Sequence, residues 1–245
     1  MLKFLSKICE VFFPNHCLNC EKIINKEALF CSACFVKLQF ITDPKCKICS
    51  YPFEIELEGK AANMPCGACI KDKPYFDKVI TIFRYNQVIK KIIGDLKYRD
   101  QTFIAKKIAK LLSIKIAPEL DNIDYITIVP LHLNKIKKRK FNQVALICFN
   151  ILTKDLKKKY LPDLLFRTKE TTTQTKLTQK QRQSNIKRAF MVNRKHQDLV
   201  KDKTVLLVDD VMTSGATIEA CSKALKKRGV KKIIVLTLAK TVLRR

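Results

Sequence analysis

The sequence predicts an α/β protein built on a parallel sheet and preceded by a small cysteine-rich module. Three observations lead there. First, Val205-Leu206-Leu207-Val208 is an apolar run ending in Asp209-Asp210; a hydroxyl-rich turn with one glycine follows, and Ile218, Cys221 and Leu225 then recur at helical spacing. Second, Gly229 and Val230 break that helix ahead of another apolar run, Ile233 to Ala239, so the order is strand, turn, helix, strand. Such βαβ units bury both faces of their strands and place ligands at the strands' carboxyl ends. Third, eight of the eleven cysteines fall into four C-x-x-C pairs, all before residue 70.

The turn of the βαβ unit carries the most specific chemistry. Thr213, Ser214, Gly215, Ala216 and Thr217 offer backbone N–H groups and hydroxyls at a helix N-terminus, where the dipole favours an anion such as phosphate. Asp209 and Asp210 stand too close to that phosphate to be its ligands. Their chemistry suits sugar hydroxyls or a divalent cation. A phosphate cradle beside paired carboxylates describes a ribose 5-phosphate. The stretch resembles the phosphoribosyl-pyrophosphate (PRPP) motif of type I phosphoribosyltransferases. The plainer reading is a capped helix with two solvated aspartates, but two adjacent acids closing a buried strand need a partner.

At 245 residues and 47 % hydrophobic content, the chain can hold one catalytic domain plus a small accessory module, and it is not a disordered protein. No apolar run approaches the length of a membrane span. Leu2, Leu5, Ile8 and Phe12 share a helix-like face that Lys7 and Glu10 interrupt, so the N-terminus reads as a short docking helix rather than a signal peptide. The expected location is cytoplasmic. The net charge of +27 is concentrated after residue 75, where the surplus of basic groups is 25. That surplus favours polyanions, nucleic acid or phosphate-rich small molecules, although lysine-rich solvated faces account for part of it.

In a cytoplasmic chain, paired C-x-x-C knuckles read as tetrahedral Zn²⁺ sites rather than disulfides. The eight residues are Cys17, Cys20, Cys31, Cys34, Cys46, Cys49, Cys66 and Cys69, enough for two structural Cys₄ sites. Sequential use of the knuckles is the expected pairing, with a cross-braced arrangement as the alternative. Neighbouring lysines (Lys22, Lys26, Lys45, Lys47) offset the negative charge of each cluster. Cys9, Cys148 and Cys221 fall on apolar faces and read as core.

Lys71 to Tyr75 reads as a linker, Asp77 to Tyr85 as a strand, and Val88 to Leu96 and Phe103 to Ile116 as helices. Leu96-Lys97-Tyr98-Arg99-Asp100 between them reads as a helix–helix turn as readily as a site. Tyr125 to Val129 is another strand, stopped by Pro130. The residues Leu131 to Lys140 follow as a basic loop, then a helix from Asn142 to Leu152. A cation-rich loop at a strand end is where Arg139 could grip a pyrophosphate. Arg167 to Asn185 is nearly devoid of apolar residues and reads as a mobile loop over the site, with Thr173, Gln174, Arg182 and Asn185 as candidate contacts.

Taken in order, the cysteine module, Val129-Pro130-Leu131-His132, Arg139 with Phe141-Asn142-Gln143, Gln174…Leu177…Arg182…Asn185…Ala189-Phe190, and Val208 to Thr217 resemble the ComF family of phosphoribosyltransferase-like competence proteins. That resemblance implies a type I phosphoribosyltransferase fold, a mostly parallel five-stranded sheet with helices on both faces and a hood, spanning 76–245 behind a double zinc-ribbon module at 1–73. It implies PRPP as ligand, with Asp209 and Asp210 on the ribose hydroxyls, together with Mg²⁺, and Thr213 to Thr217 on the 5-phosphate. Leu131, His132 and Arg139 would face the pyrophosphate. It further implies handling of single-stranded DNA in natural transformation beside a helicase-like partner. Phosphoribosyl transfer to an unidentified base or amine is the alternative function. One position departs: Lys140 stands where the family usually has glycine, and a positive φ there would strain a lysine.

Overall fold

The computed structural model describes residues 14–54, 64–99, 101–131, 133–168 and 189–242. The docking helix expected at residues 1–13, His132, and the loop contacts Thr173, Gln174, Arg182 and Asn185 lie outside the described residues.

The chain begins with the cysteine module. Its two short helices, α1 (Ser32–Phe35) and α2 (Gly67–Lys71), each start directly after a knuckle cysteine, Cys31 and Cys66 respectively. The module is seated on the sheet that follows. Phe40 bridges Phe83 antiparallel at the outer side of the first strand, where the Ile41 N–H donates to the Ile82 carbonyl at 2.8 Å and the Arg84 N–H to the Gln39 carbonyl at 2.7 Å. An edge strand is thereby covered.

Next come β1 (Lys78–Arg84), α3 (Gln87–Tyr98), α4 (Phe103–Ile116) and β2 (Tyr125–Ile128). Asn86 caps α3 by accepting the Ile89 N–H at 3.1 Å, which satisfies one of the donors a helix start leaves open. After β2 stand α5 (Leu133–Arg139), α6 (Gln143–Ile151) and α7 (Lys154–Lys158), the latter two capped by the side chains of Asn142 and Thr153. An antiparallel pair, β3 (Leu165–Arg167) with β4 (Phe190–Val192), stands apart from the main sheet and flanks in sequence the segment read as a loop over the site. The chain closes with β5 (Thr204–Val208), β6 (Val211–Met212), α8 (Ala216–Lys226) and β7 (Lys232–Lys240).

The main sheet runs β1-β7-β5-β2, every pair parallel. The fifth strand, β6, pairs with β7 in the register that β5 set, Val208 opposite Leu236 and Val211 opposite Ala239. It therefore prolongs β5 beyond a gap at Asp209-Asp210, and the sheet is four strands wide. Apolar content explains the placement. Val205, Leu206, Leu207 and Val208 are each at most 1 % exposed, and full burial of such side chains is worth about 1.5–3 kcal/mol apiece. One face packs against α3, α4 and α6 through Ile89, Ile92, Leu96, Ile108, Leu112 and Ile147. The other packs against α8 and the second cysteine cluster.

Three local expectations change. Leu133 to Arg139 is a helix, not a loop: its lysines and arginine are good helix formers, and no glycine or proline interrupts them. Helix α3 continues to Tyr98, which shortens the polar joint and puts Lys97 and Tyr98 on a rigid element. The 71–75 linker is tied down, because the Tyr75 N–H donates to the Glu219 carboxylate at 3.1 Å and Lys223 lies over the Tyr75 ring at 5.0 Å.

Candidate functional site

The site forms where β5 stops. Side chains alternate across a strand, so successive residues point to opposite faces of the sheet. Asp210 turns toward the α3–α6 face and is 5 % exposed. There its Oδ2 accepts from Lys97 Nζ at 2.7 Å and from Gln143 Nε2 at 2.9 Å. Gln143 in turn accepts, through Oε1, from the Arg139 guanidinium at 3.3 Å, and the same guanidinium donates to the Tyr98 hydroxyl at 3.1 Å while lying over that ring at 5.2 Å. Arg139 is thus joined to the acid pair through one glutamine, with residues from three helices and the gap after β5 held in one chain of contacts.

Asp209 is half-buried and faces the α8 side, where its charge is felt by buried Cys221. Its Oδ1 accepts the Asp210 N–H at 2.8 Å. Burial and then the neighbouring Asp210 charge push its carboxyl up to about 8, against the pull of that N–H and of Lys97. Two adjacent acids in one enclosed place are a standing repulsion, which a cation or a set of hydroxyl donors would relieve.

The turn after β6 is built for close approach. Thr213 and Ser214 are exposed, and Gly215, Ala216 and Thr217 half-buried. Gly215 holds the left-handed conformation at φ +79°, and a Cβ there would meet Met212 Cε at 2.8 Å. The chain then enters α8, whose first-turn amides point back at the turn. Ser214 Oγ accepts the Ala216 N–H at 3.4 Å. Leu131 is half-buried just past β2, and His132 lies outside the described residues. Lys140 does adopt positive φ, +66°, as a position suited to glycine would.

Sequence reading named Arg139, Asp209, Asp210 and the turn, which the structure brings to one end of the sheet. It left Lys97 and Tyr98 undecided between a helix–helix turn and a site. Their signal was an ammonium and a phenol closing an amphipathic helix, but nothing local shows that this helix end faces a strand end far along the chain.

The cysteines pair sequentially. Cys17, Cys20, Cys31 and Cys34 form one set and Cys46, Cys49, Cys66 and Cys69 the other, with the sulfurs of each set within 4.8 Å of one another. Cys20 and Cys31 Sγ are 3.6 Å apart, Cys49 and Cys66 Sγ 3.7 Å, close to the roughly 3.8 Å edge of a tetrahedron with 2.3 Å zinc–sulfur bonds. These residues fit Zn²⁺. Around Cys46 Sγ the N–H groups of Cys49 and Cys66 converge at 3.4 and 3.1 Å, an arrangement that orients a thiolate ligand. The second set is wholly buried, whereas Cys20 of the first is exposed. His16 is not among the donors of the first set, which four cysteines complete; its Nδ1 sits 2.7 Å from the Glu21 carbonyl. Among the described residues, no helix is long and apolar enough to cross a membrane.

Two stretches of the chain match known domain families. Residues 8–70 match the sequence model of the double zinc ribbon domain, and residues 144–242 that of the phosphoribosyl transferase domain. Competence protein F of Haemophilus influenzae is 32 % identical over 236 residues, which cover 94 % of this chain and 98 % of that protein. DNA utilization protein YhgH of Escherichia coli K12 is 28 % identical over 74 % of this chain and 80 % of its own length. A solved chain of hypoxanthine phosphoribosyl transferase from Trypanosoma cruzi overlaps 60 % of this chain and 65 % of its own, at 13 % identity and a TM-score of 0.35, too loose a match to bear on the fold. With a double zinc ribbon ahead of a phosphoribosyl transferase domain, and a competence protein as a relative along almost its whole length, the chain belongs to the ComF family of phosphoribosyltransferase-like competence proteins.

Proposed function

We propose that the protein binds PRPP, or a related sugar 5-phosphate, at the carboxyl end of β5 and acts in the cytoplasm on single-stranded DNA during DNA uptake. The observation that carries the reading is the juxtaposition of Asp209 and Asp210 with a glycine-capped helix N-terminus. In this reading Thr213 to Thr217 seat the 5-phosphate through backbone N–H groups and hydroxyls. Asp209 and Asp210 take the ribose 2′ and 3′ hydroxyls. Mg²⁺ would supply charge neutralisation there, and the raised Asp209 carboxyl suits a place that gains a cation or hydroxyl donors on binding. Arg139 and Leu131 face the pyrophosphate, where the family resemblance also assigns His132, and the tie of Arg139 through Gln143 to Asp210 links the two halves of the ligand. The names of the relatives, a competence protein and a DNA utilization protein, and the surplus of 25 positive charges after residue 75 support the DNA role. A helicase-like protein of the uptake machinery is the partner the family resemblance implies.

The second reading makes the same seat catalytic. Pyrophosphate would leave C1 of PRPP through an oxocarbenium-like state as a base or amine attacks, the protein supplying position and charge. Release of pyrophosphate across a panel of nucleobases and amines separates the two: turnover supports the second, while PRPP binding without turnover supports the first. The DNA role predicts affinity for oligonucleotides that falls with salt at roughly −0.7 in log–log slope per phosphate neutralised. A slope near zero removes it.

A further inference from the structure

A cleft of about 500 Å³ lies at the opposite end of the sheet from the paired aspartates, between the second cysteine module and the starts of β1 and β7. Its wall is tied in place. The Val79 N–H donates to the Ile48 carbonyl at 2.7 Å and Ser50 Oγ donates to the Val79 carbonyl at 2.5 Å, so the knuckle around Cys46 and Cys49 is laced to the edge of β1. Strand length sets the distance to the proposed 5-phosphate seat. Lys232 opens β7 and lines the cleft, whereas Met212, which leads into the phosphate turn, pairs with Lys240 at the other end of that nine-residue strand. At roughly 3.3 Å per residue the two places stand about 26 Å apart, too far for one sugar phosphate to reach both.

Lysines from four parts of the chain line this cleft: Lys45 and Lys47 from the knuckle, Lys78 from β1, Lys115 from the last turn of α4, and Lys232. The acids that line it are already matched. Asp43 takes Lys45 at 2.9 Å, Glu119 takes Lys78 at 2.5 Å, and Asp77 takes Lys226, from outside the lining, at 2.9 Å. Among the described residues, Lys47, Lys115 and Lys232 are left without a carboxylate. Cations gathered in a cleft focus a positive potential there and repel one another until an anion arrives. A hydroxyl adds to this. Thr81 lines the same cleft, is 1 % exposed, and its Oγ1 has no hydrogen-bond partner, a costly condition that a ligand oxygen would relieve. A merely solvated lysine face does not account for that hydroxyl. We infer that this cleft is a second phosphate site, separate from the seat at β5, and that it takes a phosphate ester of nucleotide size, in keeping with the roughly 300–1,000 Å³ of small-molecule sites. The phosphate group is the shared chemistry: a free nucleotide offers it as a monoester, a DNA strand as backbone diesters.

Calorimetric titration of the full-length, zinc-loaded protein with thymidine monophosphate tests this, with inorganic phosphate, thymidine and oligothymidylate beside it. The phosphate-bearing probes should bind and thymidine should not. A Lys47→Gln/Lys115→Gln/Lys232→Gln protein should bind them at least about tenfold more weakly, since one charged hydrogen bond is typically worth about that factor. The corresponding arginine triple should stay near the parent. A Lys90→Gln/Lys106→Gln/Lys154→Gln protein loses the same charge from exposed helix faces and should bind as the parent does. Thr81→Val should weaken binding without lowering Tm, because its hydroxyl has no partner to lose; parent affinity there overturns the role given to Thr81. Thymidine monophosphate binding assigns the cleft to free nucleotides. Binding of oligothymidylate alone, weakened in the first triple only, assigns it to the backbone of a strand. A parent that binds none of the phosphate-bearing probes, or equal weakening in both glutamine triples, overturns the inference. So does binding that survives the first triple and is lost in Asp209→Asn/Asp210→Asn, which would put the phosphate at β5. A parent that binds thymidine monophosphate in the cleft but no PRPP sinks the β5 seat and leaves the cleft standing.

Discussion

Replacing Lys97 by methionine removes the cation that faces Asp210 and keeps the length and apolar stem of the side chain. The two heads stand 2.7 Å apart, with the Asp210 side chain 7 % and Lys97 19 % exposed. Removing one partner from a buried pair typically destabilises by about 3–5 kcal/mol, because the other charge is left in a poorly solvated place. The low end applies here: Gln143 still donates to Asp210 at 2.9 Å, and Lys97 keeps some contact with water. About 3 kcal/mol corresponds to a fall in Tm of roughly 6–12 °C for a chain of this length. Thermal unfolding of zinc-loaded protein measures it. Asp210→Asn and the Lys97→Met/Asp210→Asn double variant complete the cycle, and the double should be more stable than the sum of the singles allows, by at least about 1 kcal/mol. A Lys97→Met protein within about 2 °C of the parent, or a strictly additive cycle, refutes the claim that Lys97 neutralises this acid pair.

Gly215→Ala should weaken binding of 5-phosphate ligands and lower stability by about 1–2 kcal/mol, since the position needs φ +79° and a Cβ would meet Met212 Cε at 2.8 Å; calorimetry and urea midpoints measure both. Asp209 sets a pH dependence. Its carboxyl is raised to about 8 in the fold, so the folded form holds a proton that the unfolded chain releases, and the parent should lose stability as pH rises from the ordinary carboxylate range toward 8. Asp209→Asn should flatten that slope in urea unfolding at pH 5 and 9; an unchanged slope contradicts the burial argument. Lys140 holds φ +66°, so Lys140→Gly should leave Tm equal or higher, by up to about 1 kcal/mol in stability, and a clear drop would show that the lysine side chain matters more than its backbone.

Much of this architecture was legible because it depends on local pattern. The run from Val205 to Val208, the turn at Thr213 to Thr217 and the helix after it each declare themselves within a few residues, and the cysteine knuckles do so by spacing alone. Charge was a poorer guide. Leu133 to Arg139 looked like a loop because it is basic, yet straight-chain cations are good helix formers and the segment is helical. Lys97 and Tyr98 stayed undecided between a turn and a site for a different reason: their meaning lies in which strand end faces α3, a tertiary fact. Gln143 could be recognised only by family resemblance, and its bonds to Asp210 and Arg139 emerge once α6 is placed. Nor could the sequence show that the second cysteine cluster shares a core with the sheet, since C-x-x-C spacing describes the metal and not what packs behind it.

The most direct measurement is a calorimetric titration of PRPP with Mg²⁺ into the folded, zinc-loaded protein, beside the Asp209→Asn/Asp210→Asn double variant. One ligand per chain should bind to the parent, and binding should be lost in the double variant while its thermal unfolding stays cooperative. Heat indistinguishable from dilution in the parent, or equal affinity in the two proteins, would mean that the carboxyl end of β5 is not the seat of a sugar phosphate.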